Sequence, residues 1–207
     1  MARDTQETRR RLLAAARAEF AEHGLEGARV DRIAEVAGVN KERIYGHFGS
    51  KEQLFEAVLS AALTEAAELK PAAGLTDPAS YAAATFDFHR NNPDLIRLLM
   101  WESLQRQRIS PEAAARRARF YSEDAQRLAA PGADDEAARF VLYSILALAT
   151  WVQALPIASS MVFGGAPDPK DLRERIANAV AALVEPRDRS DGQPVAELPR
   201  VVISLAA

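Results

Sequence analysis

At four places the chain sets a short polar side chain directly before a proline: Asp77-Pro78, Asn92-Pro93, Ser110-Pro111 and Asp168-Pro169. Each pair suits a helix start. The first residue caps exposed backbone N–H groups, and proline, lacking an N–H, takes the first helical position without loss. The spacing predicts helices over 78–91, 93–107, 111–129 and 169–184, with another over 134–155 after the Pro131-Gly132 break. About one residue in five is alanine, the best intrinsic helix former, and the one short β-branched alternation, Val201-Val202-Ile203, lies in the tail. The expected fold class is all-α.

The first half-hundred residues follow the same grammar at a finer scale. Asp4 with Glu7 reads as a capping box for a helix over 5–22 carrying Leu12, Leu13, Ala16 and Phe20, stopped by Gly24. A short helix over 29–36 ends before Gly38, and Asn40 caps a third over 41–47. Ser50 with Gln53 opens a longer one, running to Leu69 ahead of Pro71. These boundaries suggest a head over 1–52, a body over 53–185 and a mostly irregular tail over 186–207.

Composition then narrows function. There is no cysteine, which excludes disulfides, a thiol nucleophile and Cys-type metal sites, and fits a cytoplasmic protein. His23, His47 and His89 form no short metal motif, and no acid–base cluster suggests an enzyme or calls for a cofactor. The polar N-terminus has no apolar stretch of signal-peptide type. The net charge of −3 hides an asymmetry: residues 1–51 carry 10 Lys/Arg against 8 Asp/Glu, residues 52–207 carry 16 against 21. A mildly basic head on an acidic body suits a DNA reader with a separate partner domain. From Phe140 to Pro167 no side chain is charged. That length suffices for a bilayer span, but Thr150, Gln153, Pro156, Ser159 and Ser160 interrupt it. A helix buried on all sides, in a core and a subunit interface, satisfies the same pattern, so no membrane partner is expected.

The stretch from Ile33 to Phe48 has helix–turn–helix character: Ile33 faces inward, Ala34 and Ala37 permit close packing, Gly38 allows the tight exit, and Ile44 with Phe48 anchors the next helix. Residues 9–59 resemble the DNA-binding domain of the TetR (tetracycline-repressor-like) family of transcriptional regulators. The matching elements are Leu13-x-Ala15-Ala16-x-x-x-Phe20-Ala21-Glu22-x-Gly24, Ile33-Ala34-x-x-Ala37-Gly38-Val39 and Ile44-Tyr45-x-His47-Phe48-x-Ser50-Lys51-Glu52-x-Leu54-Phe55. By chemistry, Lys41 and Arg43 reach phosphates or guanine edges from the recognition helix, and Asn40 serves as cap or phosphate contact. The resemblance implies a DNA-backbone contact by Tyr45, a like contact or packing beside it by His47, and a phosphate held by Lys51 together with the helix start. Two departures stand out. Ala28-Arg29 replaces a common threonine pair, so Ala28 cannot cap the second helix and Arg29 offers a cation instead. Gly46 replaces a larger residue, removing a base reader or admitting close approach of DNA.

The body supplies partners. The uncharged 140–155 segment and the Ile176, Val180 and Leu183 face of the last helix are candidates for a homodimer surface, matching two-fold readers of palindromic duplex operators. Phe86, His89, Arg97, Met100, Trp101, Gln105, Phe120, Tyr143 and Trp151 combine apolar area with polar handles. They read first as core and, as a group, as a pocket for a small, largely apolar effector. The resulting expectation is a ligand-released repressor; the alternatives are a constitutive DNA-binding dimer and a purely helical interaction module.

Overall fold

The computed structural model describes residues 2–72, 77–106, 109–130 and 132–184. The tail over 186–207 lies outside the described residues. Among the described residues ten helices follow one another: α1 (Ala2–Gly27), α2 (Val30–Ala37), α3 (Lys41–Phe48), α4 (Lys51–Ala72), α5 (Pro78–Asn91), α6 (Pro93–Gln105), α7 (Pro111–Leu128), α8 (Asp135–Ala154), α9 (Pro156–Phe163) and α10 (Pro169–Val184). The described residues contain no strand.

All four proline-led helices form, but one expected cap is missing: the Asn92 side chain makes no cap bond to α6 and its Nδ2 donates back to the Phe88 carbonyl at 2.9 Å. Asp77 and Ser110 each accept a backbone N–H three residues on, from Ser80 at 3.0 Å and Ala113 at 3.2 Å, and Asp168 accepts from Lys170 and Asp171. One start and one end differ from expectation. α1 begins at Ala2, ahead of Asp4, so Asp4 lies within the helix rather than at its cap. α4 runs through Pro71 to Ala72, past the expected end at Leu69. Past Ala154 the chain turns at Leu155 and forms α9, led by Pro156, where the sequence analysis placed no helix.

Two apolar cores result. The first joins Leu12, Phe20, Ile33, Ile44, Leu54 and Phe55 with Leu95 and Leu98 of α6. The packing therefore does not break at residue 52: α4 belongs to the head's core as far as Ala66. The second gathers Tyr81, Phe86, Leu142, Ile145, Ala149, Ile176 and Val180. Within it the Tyr81 hydroxyl donates to Asp124, whose other oxygen takes Arg127 at 2.7 Å. Burial and the Asp124 carboxylate push the Tyr81 phenol far above its ordinary pKa.

This second core corrects two expectations. Ile176 and Val180 are buried in their own protomer, against α5 and α8, and of the expected α10 face only Leu183 is exposed. Nor is α8 buried on all sides. It buries a stripe of Ala138, Leu142, Ile145 and Ala149 and turns Phe140, Tyr143, Leu148 and Trp151 outward. Period 3.6 identifies a face but not which neighbour covers it. Among the described helices α8 alone is long and apolar enough to cross a membrane; its buried stripe packs inside the protomer.

Candidate nucleic-acid interface

Recognition requires a helix held away from the body, and the turn between α2 and α3 achieves this with few residues. Gly38 adopts φ 65°, ψ 41°, left-handed geometry that glycine enters without steric cost. Its N–H donates to the Glu35 carbonyl, and the Val39 N–H to that of Ala34 at 3.0 Å, closing α2. Asn40 then caps α3 by accepting the Arg43 N–H at 2.9 Å. Ile44 and Phe48, one turn apart, are the buried residues of α3. Arg43, Tyr45, Gly46 and His47 are thereby exposed together along a helix of only eight residues.

The cations of this surface differ in how far they are already engaged. Arg43 makes no ion pair among the described residues. Lys41 donates to Asp31 of α2 at 2.9 Å; the hydrogen-bonded partner raises the lysine pKa and depresses that of Asp31. Lys51 donates to the carbonyls of Glu26 at 3.2 Å and Ala28 at 3.1 Å. The sequence reading left this ammonium free for phosphate; in the structure it closes the carbonyl end of α1, where a cation is favourable, and one of its three N–H donors remains. His47 lies against Phe48 with ring centroids 6.2 Å apart, and Arg9 of α1 covers the same Phe48 ring at 5.6 Å.

Arg29 flanks α2 without a side-chain cap bond, as Ala28-Arg29 implies. The cap comes instead from Glu19 of α1, which accepts the Arg29 N–H at 2.7 Å and the Arg32 guanidinium at 2.6 Å. Burial raises the Glu19 pKa, but Arg32 and the Arg29 amide outweigh it and hold the carboxyl below its ordinary value. A missing cap in the sequence signals that another acceptor is needed; it does not say which.

Gly46 is an ordinary helical residue, and a methyl group added there meets nothing within 4 Å. Gly46→Ala is expected to raise stability by about 0.5–1 kcal/mol through reduced chain entropy, measured by denaturant unfolding.

The body's nine candidates do not converge. Phe86 and His89 are buried, Arg97 is exposed, and Met100 is half-buried. Tyr143 and Trp151 point outward from α8, 68% and 53% exposed. Trp101 and Gln105 meet at the Gly24 kink, where the indole N–H donates to the Ala21 carbonyl at 3.3 Å and the Gln105 carbonyl accepts from Leu25 N at 2.7 Å. Phe120 lines a cavity of about 120 Å³ between α4 and α7, with Ser60, Leu63, Thr64, Arg116 and Arg117. Sequence reasoning missed the α4 side of this cavity, whose alternating polar and small residues resemble any solvated helix face. Beside it Arg117 forks onto the buried Glu102 at 2.6 and 3.0 Å, and Glu56 takes the Ser110 hydroxyl at 2.6 Å.

Comparison with known proteins agrees with this two-part layout. A family model described as bacterial regulatory proteins, tetR family, matches residues 12–58, and one described as tetracyclin repressor-like, C-terminal domain, matches 77–182. The chain is 33% identical over 193 residues to the HTH-type transcriptional repressor SCO4008 of Streptomyces coelicolor, covering 89% of this chain and 98% of that protein. It is 34% identical over 109 residues to the HTH-type transcriptional repressor NicS of Pseudomonas putida, about half of each chain. Among solved structures, Streptomyces coelicolor SCO4942 superposes with a TM-score of 0.64 at 37% identity, covering 85% of this chain and 97% of that one.

Proposed function

This chain belongs to the TetR family of DNA-binding transcriptional regulators, and from that premise we propose that it is a homodimeric repressor released from a palindromic operator by a small, largely apolar effector. The observation that carries the reading is the exposure of Arg43, Tyr45, Gly46 and His47 on a helix whose buried residues are Ile44 and Phe48. Such a helix fits a major groove, and two-fold pairing sets two of them about 34–36 Å apart on one side of a duplex. Arg43 reads base edges. Arg29, Asn40, Lys41, Tyr45, His47 and the remaining donor of Lys51 hold the backbone. Repression is the activity named for the full-length relative SCO4008 and supports that sign of regulation here.

Release follows from the path of α4. Its Ser60, Leu63 and Thr64 line the cavity, and its Leu54 and Phe55 sit in the head's core. An effector that fits only a widened cavity displaces α4 and with it the head. A differential affinity of ~100-fold, about 2.7 kcal/mol, is enough to shift the dimer away from its operator-competent form. The opposing reading, a constitutive DNA-binding dimer, has one observation in its favour: this cavity is small, and neither Trp101 nor Trp151 lines it.

Selection of bound duplexes from a random pool, repeated at two salt concentrations and then against a library of apolar compounds, tests both. The expected result is one palindromic consensus whose retention falls with salt and with at least one compound. A consensus insensitive to every compound, and to Leu63→Phe filling the cavity, establishes the constitutive dimer. Absence of any salt-sensitive duplex binding overturns the regulator reading altogether.

A further inference from the structure

The buried stripe of α1 sends three consecutive arginines in three directions. Thr8 and Leu12, one turn apart, are buried. With 3.6 residues per turn, Arg9 and Arg11 project about 80° to either side of that stripe, and Arg10 points away from it. The contacts agree. The Arg9 guanidinium carbon lies 5.6 Å from the centre of the Phe48 ring, at the end of α3, and Arg9 lines one groove with His47. On the other side, a Cβ at Gly38, in the turn before α3, would lie 3.8 Å from Arg11 Nη1. One cation thus stands at each end of the recognition helix. Arg10 faces out and is bound to Glu7 at 2.7 and 3.0 Å.

We propose that Arg9 and Arg11 form a second grip on DNA, each holding a backbone phosphate beside the groove that α3 enters; this rests on the DNA-binding reading above. Availability selects them. Arg17 is held by Glu65 and Asp94, Arg32 by Glu19, Lys41 by Asp31 and Lys51 by two carbonyls. Arg9 and Arg11 are exposed and make no ion pair among the described residues. The contact with Phe48 positions Arg9 without consuming an N–H donor, so its fork remains available for phosphate oxygens. Spacing fits as well. The eight residues of α3 span about 12 Å, close to the ~12 Å width of a major groove, so cations at its two ends meet the phosphate strands that border the groove. Such contacts fix register on the duplex and carry no sequence information.

The test is binding of the full chain to its selected duplex and to an unrelated duplex, measured by fluorescence anisotropy from about 50 to 200 mM salt. Arg9→Gln combined with Arg11→Gln is expected to weaken both duplexes alike, by on the order of 100-fold at the lowest salt. The slope of log affinity against log salt should flatten by about 3–4, since four phosphates per dimer count ~0.9 each. Arg9→Lys combined with Arg11→Lys keeps the charge and should retain most of the slope. Arg10→Gln, already spent on Glu7, should change neither affinity nor slope. Arg11→Gln alone leaves the Phe48 contact intact and should flatten the slope by about 2, which decides the matter even if the double variant folds poorly. Parent-like affinity and slope in Arg11→Gln and the double variant overturn the role of α1 and leave the regulator reading standing. A loss confined to particular base pairs overturns it too, because the arginines would then read bases. A parent chain without salt-sensitive duplex binding overturns both.

Discussion

Gly24→Ala is expected to destabilise the protein by about 3–5 kcal/mol, lowering Tm by roughly 10 °C. Two independent costs combine. The backbone at Gly24 sits at φ 67°, ψ −176°, a region that side-chain-bearing residues avoid, which alone costs on the order of 1–3 kcal/mol. A Cβ there would also lie 2.7 Å from Gln105 Oε1 and 2.8 Å from two carbons of the Trp101 indole, forcing α6 away from α1. The indole and amide are the hydrogen-bonding plug of the kink, and Lys51 closes the same segment from its far side through Glu26 and Ala28. One methyl group therefore strikes the joint between head and body. Gly27→Ala supplies the control. Gly27 has no positive φ, and its added carbon meets only His23 Cβ at 3.5 Å, so stability should change by less than about 0.5 kcal/mol. Equal melting curves for both variants would show that Gly24 tolerates a side chain and that the kink is not rigid.

The same kink shows what the sequence made legible. Gly24 as a helix stop, Gly38 as a turn, Asn40 as a cap and the proline-led starts at 78, 93, 111 and 169 were all readable, because each is settled within four residues by backbone geometry. The placement of Ile33, Ile44 and Phe48 in one core followed from spacing on short helices with only one face to bury. What escaped was decided across distance. Trp101 and Gln105 suit a ligand pocket and a packed joint equally well, and only the path of α1 brings Gly24 against them. Ile176 and Phe140 are both apolar on helices of similar length; which faces the core depends on where α5 lies. α9 was hidden because an uncharged run gives no polar edge from which to read a boundary. Glu19 carried no signal in the sequence, because its partners, the Arg29 amide and Arg32, meet it only in space.

Arg43→Ala is expected to reduce operator affinity by roughly 30-fold to 10⁴-fold while leaving folding stability unchanged. A bidentate guanidinium–guanine contact is worth about 1–3 kcal/mol, and a two-fold dimer loses it twice. The position favours this residue over Lys41. Lys41 is tied to Asp31, so reaching a base means giving up an existing partner, whereas Arg43 is exposed in the first turn of α3 and makes no ion pair among the described residues. The form of the loss is as diagnostic as its size. Binding should fail at one base pair of each half-site, relaxing preference there, and the salt slope should flatten by no more than about 2, one charge per protomer. Lys51→Ala should behave differently, weakening all duplexes nearly alike. It should also lower Tm, since the carbonyls of Glu26 and Ala28 lose their donor. Selection from a random pool with each variant, read beside its melting curve, separates the two roles. A uniform loss across sequences for Arg43→Ala, with the half-site consensus intact, would make Arg43 a phosphate contact and move base reading to other exposed side chains of α3 such as Tyr45 and His47.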